Sequence, residues 1–417
     1  MKRGIVLGVL FIVLSIHLPA KERPFIWVQK NEREAILEKI ENHEWAHEIY
    51  TDFIDDLNDK IKAYKKNSSK YLMGMPFNRE VQKDGQIPPF HLTYHLKNGE
   101  QRNLDNATDK EMAGARTLMR YLQTGIDCGI AYYLTENDIY AQCALDILYT
   151  FVKSVNQHEV SEWRGRGGWL FPYDGFREVR EIGAKVPIIY DFVAPFIEQG
   201  GKPYHFIKEQ YVEFPSDEVQ DVFRTYANIT VNYGQTGSNH PVLEAPSLVY
   251  NALAMDEPAE REKWLAYFLT ESTNNQDALN VMAAIYKNEG DIWPETSQYL
   301  NHVGSILTHL MFILNRYDPS LRFTEQYPNV LYSLPALDYM VYPNGELVRW
   351  GDGKRKGRPP YKRYEEAYLM GKMDDNERIT QHFGALLKKG IQDGKYKKRG
   401  IFSVLWYHDD YEGEAEP

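Results

Sequence analysis

At 417 residues the chain is long enough to bury a large core, so marginal size is excluded as a limit on stability. Its formal net charge of −11 excludes a general polyanion-binding surface and argues against nucleic acid as a partner; an anionic ligand has to be met by a local basic site inside an acidic shell. With 2 cysteines, a disulfide framework and a Cys-ligated metal centre are excluded as well, and nothing in the residue pattern calls for a metal or cofactor.

The chain opens with basic Lys2 and Arg3, an apolar run from Ile5 to Leu18, and then Pro19 and Ala20. That layout predicts a cleavable secretory signal over 1–20 and a periplasmic or secreted protein. No later segment approaches the roughly 20 apolar residues of a membrane span.

Helical spacing dominates the rest of the chain. Ala35, Ile36 and Ile40, then Ile49, Phe53, Ile54, Leu57 and Ile61, predict an opening helical pair. A polar stretch over 65–106 contains the loop-like Lys66 to Ser69, and Pro88-Pro89 bars a regular helix. Two long helical patterns over 108–134 and 138–155, joined by Thr135 to Asp138, predict a helical hairpin. That turn allows a Cys128–Cys143 pair, although two small core residues are the commoner fate of buried Cys.

A further helix is expected from about Gly175 to Glu198, kinked at Pro187 and closed by Gly200-Gly201. Helices over 216–229, 245–255, 260–269, 277–287 and 298–316 come next. Strand character is confined to a β-hairpin near 339–350 around Asn344-Gly345 and to the strand-like Ile401 to Tyr407. The predicted fold is all-α: an incomplete (α/α) toroid of antiparallel helical pairs with that minor β-hairpin, a superhelical array being the alternative. The toroid occupies 21–400. Residues 401–417 read as the start of a linker toward an absent C-terminal domain.

Three polar stretches carry candidate chemistry. Tyr233 to Pro241 is a Gly-shaped loop in which Asn239 and His240 stand at a helix start, where donors and the helix dipole suit an anion; Gln235 lies in the loop and Glu244 one turn on. The competing reading is a helix cap beside a surface His. Asn288 to Tyr299, with Trp293 and Glu295, places Tyr299 in the first turn of a helix; taken alone, such a Tyr belongs to a core. Glu162 to Asp174 is Gly-rich, basic and aromatic without phosphate-loop spacing. Trp163, Trp169 and Tyr173 suit sugar stacking, while Arg164 and Arg166 suit a carboxylate or sulfate. Arg177 and Arg180 share a helix face, with a surface pairing to Glu178 or Glu181 as the alternative.

Asn239-His240, followed about sixty residues later by the Gly290-Asp291…Trp293-Pro294-Glu295…Tyr299 stretch, resembles the heparinase II/III-like polysaccharide lyases and the related oligoalginate lyases. The resemblance implies an N-terminal α/α toroid, a C-terminal β-sandwich with further site residues and sometimes a structural zinc, and β-elimination on a uronate-containing acidic polysaccharide or oligosaccharide. It implies that Asn239 and His240 neutralise the uronate carboxylate and that Tyr299 transfers protons. Trp163, Arg164, Arg166, Trp169, Tyr173, Arg177, Arg180, Gln235, Glu244, Trp293 and Glu295 are the candidate glycan contacts. The missing β-sandwich is then either separately encoded or lost.

The chemistry of elimination agrees with these residue types. Charge spreading onto the C6 carboxylate must be met by donors, and a Tyr acts as base only where positive charge favours its phenolate. Two alternatives stand beside the lyase. A toroidal glycoside hydrolase would need paired carboxylates from Asp291 and Glu295 with Asp174 or Glu244; a non-catalytic glycan-binding subunit would need none.

Overall fold

The computed structural model describes residues 21–76, 113–156, 160, 169–170, 178–295, 297–344, 346–348, 359–408 and 410–413, with two-residue strands at 94–95 and 101–102. The leader-like 1–20 lies outside them.

The helices are α1 (Arg33–Asn42), α2 (Glu44–Lys60), α3 (Lys62–Lys66), α4 (Ser68–Met73), α5 (Ala113–Thr135), α6 (Asp138–Val155), α7 (Val186–Glu198), α8 (Ser216–Tyr233), α9 (His240–Ala254), α10 (Pro258–Leu269), α11 (Leu279–Ala283), α12 (Ser297–Tyr317), α13 (Phe323–Gln326), α14 (Pro328–Tyr332), α15 (Tyr361–Met373), α16 (Glu377–Gln392) and α17 (Ile401–Trp406). Strand structure among the described residues is slight. β1 (Tyr94–His95) pairs with β2 (Gln101–Arg102), and β3 (Tyr204–His205) with β4 (Gln210–Tyr211), both antiparallel. The expected hairpin near 339–350 is reduced to a bridge between Val341 and Leu347, flanked by Val348 N–H donating to Met340 O at 2.8 Å. The fold is all-α with a minor β-hairpin.

Helix ends follow local chemistry. Asn137 caps α6 by accepting from Ile139 N–H, and Asn376 caps α16 by accepting from Ile379 N–H, as short polar side chains do for the orphan donors of a first turn. Pro187 does not kink a long helix. It sits in the first turn of α7, preceded by a π turn at Val179–Gly183, because a first-turn position has no intrahelical N–H bond to lose. Asn67 accepts from Lys70 N–H and starts α4 where a loop is expected. The predicted helix over 277–287 shrinks to α11.

Five helices, α5, α7, α9, α12 and α15, pack in succession; α17 packs on α1 and α2, these pack on α5, and Tyr407, just after α17, donates to Lys362 O of α15. A second set of helices, α6, α8, α10 and α16, lies against α5, α9, α9 and α15 respectively. Close approach needs small residues: a Cβ on Gly129 of α5 would stand 2.6 Å from Phe192 Cβ of α7.

The C-terminal ends of these inner helices gather around one segment, residues 21–33. Arg23 Nη2 donates to Ala254 O at the end of α9, Arg33 Nε to Tyr133 O at the end of α5, and Gln29 Nε2 to Arg316 O at the end of α12. Since the helices run alongside one another, their N-terminal ends share the opposite rim.

Residues 401–406 form a helix rather than a strand. A short apolar run is ambiguous by periodicity, and here tertiary packing decides it. Trp406 and Tyr407 are buried, Trp406 Nε1 donates to Trp27 O at 2.6 Å, and Tyr407 Oη donates to Lys362 O at 3.3 Å. Trp27 in turn meets Phe192, Tyr250, Phe402 and Trp406 edge to face. Cys128 and Cys143 are both buried free thiols, not a disulfide.

Candidate active site

The N-terminal rim of the ring carries the polar loops. The loop before α9 is held by its neighbour over 273–277: Asn275 Nδ2 donates to Asn232 O at 2.6 Å, Thr236 Oγ1 to Asn274 O at 3.2 Å, and Gln276 Nε2 to Pro241 O at 2.9 Å. Gly237 has a φ of +74°, a left-handed turn that a side chain would strain. The loop is thus fixed from two sides before it reaches Asn239.

Asn239 occupies the N-cap position of α9, yet its side chain does not cap the helix. It lines a cleft of about 480 Å³ together with Gly237, Ser238, Asp277, Trp293 and Glu295. The reading of Asn239 as a side-chain cap therefore fails on geometry, and the residue belongs to the wall of the cleft. Burial raises the Asp277 carboxyl, against the lowering effect of its hydrogen bond from Gly237 N–H.

His240 is 30% exposed at its side chain, with Nδ1 3.6 Å from Glu244 Oε1. Glu244 is buried; burial pushes its carboxyl up, and His240 opposes the shift. A Cβ on Gly234 would come within 2.6 Å of Glu244 Oε2, so the loop backbone closes over that carboxylate. Glu244 is accordingly a support beneath His240, not an open glycan contact as expected from sequence.

Trp293 is 6% exposed, packs against Tyr286 at 6.3 Å between centroids and lines the cleft. Glu295 is half-buried and lines the same cleft. Asp291 accepts from Asn288 N–H at 2.8 Å and so serves the turn. Tyr299 stands in the first turn of α12, half-buried, just after Glu295.

The other expected contacts divide. Trp163, Arg164, Arg166, Tyr173 and Arg177, with Asp174, lie outside the described residues. Trp169 is not a stacking platform: it is 4% exposed and meets Tyr226 at 5.7 Å. The physical reason is the buried Glu178 carboxylate, which accepts from the backbone N–H of Trp169 at 2.8 Å and of Leu170 at 2.9 Å and draws the segment inward. Gln235 is exposed at the loop edge. Arg180 pairs with Glu181 at 3.3 Å and keeps 36% of its side chain exposed.

Sequence reasoning missed a polar chain on the ring axis. Tyr250 Oη lies 2.7 Å from His309 Nε2, and His309 Nδ1 lies 3.0 Å from Glu366 Oε1, which also pairs with Arg363. Burial would raise Glu366, but Arg363 and His309 outweigh it and hold the carboxyl below its ordinary value. Burial lowers His309, helped by Arg363, and burial raises the Tyr250 hydroxyl. A neutral His309 then donates from Nδ1 to the Glu366 carboxylate and accepts the Tyr250 O–H at Nε2. The seven-residue spacing of His302 and His309 on α12 was the available signal.

Similarity to known proteins bears on this geometry. Residues 289–409 match the family described as the second domain of endo-acting ulvan lyase. Over 361 residues the chain is 25% identical to an endo-acting ulvan lyase of Formosa agariphila, covering 84% of this chain and 40% of that protein. The chain spans about two fifths of the length of the curated relative it matches. It is thus related in sequence to a polysaccharide lyase. These matches name an ulvan lyase; the heparinase II/III-like and oligoalginate labels rest on the Asn239-His240 and Tyr299 pattern alone.

Proposed function

We propose that this chain is a polysaccharide lyase that cleaves a uronate-containing acidic glycan, ulvan in the first instance, by β-elimination at the N-terminal rim of its helical ring. The observation that carries the reading is the similarity to an endo-acting ulvan lyase over 84% of the chain. The loop geometry supports it: Asn239 lines a cleft and does not cap its helix, and His240 stands 3.6 Å from the buried Glu244 carboxylate.

In this reading Asn239 and His240 meet the charge that spreads onto the C6 carboxylate when the C5 proton leaves. Tyr299, in the turn after the cleft, removes that proton and returns one to the departing O4. The bond from C4 to O4 breaks as the C4–C5 double bond forms, and no water is consumed. Export to the periplasm or beyond, and cooperation with a C-terminal β-sandwich domain, belong to the same proposal.

The test is turnover of ulvan by the purified chain, followed by ultraviolet absorbance of the new C4–C5 double bond, with alginate, heparan, chondroitin and hyaluronan alongside. Absorbance growing on ulvan is expected. New reducing ends without absorbance would mean hydrolysis and overturn the proposal.

A further inference from the structure

The axial chain of Tyr250, His309, Glu366 and Arg363 ties α9, α12 and α15 together and has no part in the proton transfers assigned above. Its members differ in exposure, and Arg363 is the most open of them. The Glu366 side chain is 0% exposed and that of His309 16%, while that of Arg363 is 27% exposed and that of Arg180, at the rim, 36%.

Arg363 stands one turn before Glu366, toward the N-terminal end of α15. His302 stands seven residues before His309 on the same stripe of α12, about 10 Å further toward that end at the rise of a helix. The π turn bearing Arg180 packs on α9, fastened by Asn251 Nδ2 donating to Gly183 O at 2.9 Å. His302 accordingly feels the positive charges of Arg180 and Arg363 and the negative charge of Glu181. Two guanidinium groups thus bear on one imidazole in a chain of net charge −11.

Glu366 is held from two sides, by His309 at 3.0 Å and by Arg363, and His309 is held in turn by Tyr250 at 2.7 Å. Such a chain fixes the direction of a guanidinium, whose planar fork binds carboxylate or sulfate oxygens in pairs. We propose that Arg363, oriented by Glu366, His309 and Tyr250, forms with His302 and Arg180 an anion subsite that takes a carboxylate or sulfate group of the glycan. The inference rests on the lyase reading for the identity of the glycan, though not for the existence of the subsite. Arg363 and His302 are binding residues here; Glu366, His309 and Tyr250 are positioning residues.

The experiment measures binding of the purified chain, without turnover, to ulvan oligosaccharides in intact, desulfated and carboxyl-reduced forms by calorimetric titration. Arg363→Gln is expected to weaken binding of the intact form at least tenfold and to bind the form lacking the recognised anion as the wild type does. Which form that is identifies sulfate or carboxylate as the ligand. Should Arg363→Gln fail to fold, His302→Gln leaves the buried chain in place and is expected to weaken the intact form several-fold. Wild-type affinity of His302→Gln and of a folded Arg363→Gln for all three forms would overturn the subsite. Selective loss of binding with no ultraviolet product from the wild type would support the subsite and sink the lyase reading; no binding of any acidic form by the wild type would sink both.

Discussion

Asp191→Ala removes the acceptor that anchors the N-terminal segment across the floor of the ring. The Asp191 carboxylate is fully buried and accepts from Phe25 N–H at 3.0 Å, Ile26 N–H at 2.8 Å and Arg23 Nη1 at 3.0 Å. Without it the Phe25 and Ile26 amides lose their partner, each costing about 1–3 kcal/mol. Arg23 keeps Asp256 at 3.1 Å and Ala254 O at 2.7 Å, so its charge is not stranded. One effect opposes these losses: burial raises the Asp191 carboxyl despite the Arg23 pairing, so deletion also relieves a desolvation penalty. The expected net loss is about 3 kcal/mol, near the low end for breaking a buried pair. Asp191→Asn, which retains one acceptor oxygen but turns an amide N–H toward Arg23, should lose about half as much. Urea unfolding followed by tryptophan fluorescence reads both directly, because Trp27 and Trp406 lie next to the anchored segment. A loss below about 1 kcal/mol for Asp191→Ala would refute the idea that this carboxylate holds the segment that closes the ring.

Tyr299→Phe should nearly abolish elimination and leave glycan affinity within a few-fold of wild type; unchanged turnover removes Tyr299 from the proton path. Asn239→Ala and His240→Ala should each cost about 2–4 kcal/mol of transition-state stabilisation, as other oxyanion donors do, read as a loss in kcat/KM. Glu244→Gln should lower kcat less than either while moving the pH–rate profile, since it acts through His240; a lower rate with an unmoved profile would assign it a purely structural role. Stability should also depend on pH through two buried carboxyls, Asp146 and Glu365, each pushed up to about 7 by burial against the hydrogen bonds that favour its ionised form. The folded state then holds protons that the unfolded chain releases, so stability is fully present below about pH 4 and falls as pH rises through about 7. Denaturation midpoints from pH 5 to 8 should fall for this reason, and Asp146→Asn should flatten the trend.

Helix content was legible because apolar residues recur at helical spacing from Ala35 to Tyr317, and short connections marked antiparallel helical pairs. What misled was local ambiguity resolved by distant partners. Ile401 to Trp406 has both strand-like composition and a helical stripe, and only Trp27, nearly the whole chain away, selects the helix. Trp169 looks like a sugar platform until Glu178 is seen to bind the backbone beneath it. The Asn239-His240 loop was recognisable because its glycines, its proline and the following helix are adjacent in sequence. The chain from Tyr250 to Arg363 was not, since its members come from three helices and each, read singly, passes for an ordinary core or surface residue.

The contact between Trp27 and Trp406 spans 379 residues of sequence, and it sets an order on assembly. Local hairpins such as α5 with α6 can form as soon as they are made, whereas loop closure over so long a separation is entropically costly and comes late. Until the last helix is available, Trp27 and Phe312 lack the Trp406 indole they pack against, and this part of the inner face stays wet. The molecule should therefore pass through an open horseshoe with native helices and an exposed aromatic lining, the species most in need of protection from aggregation.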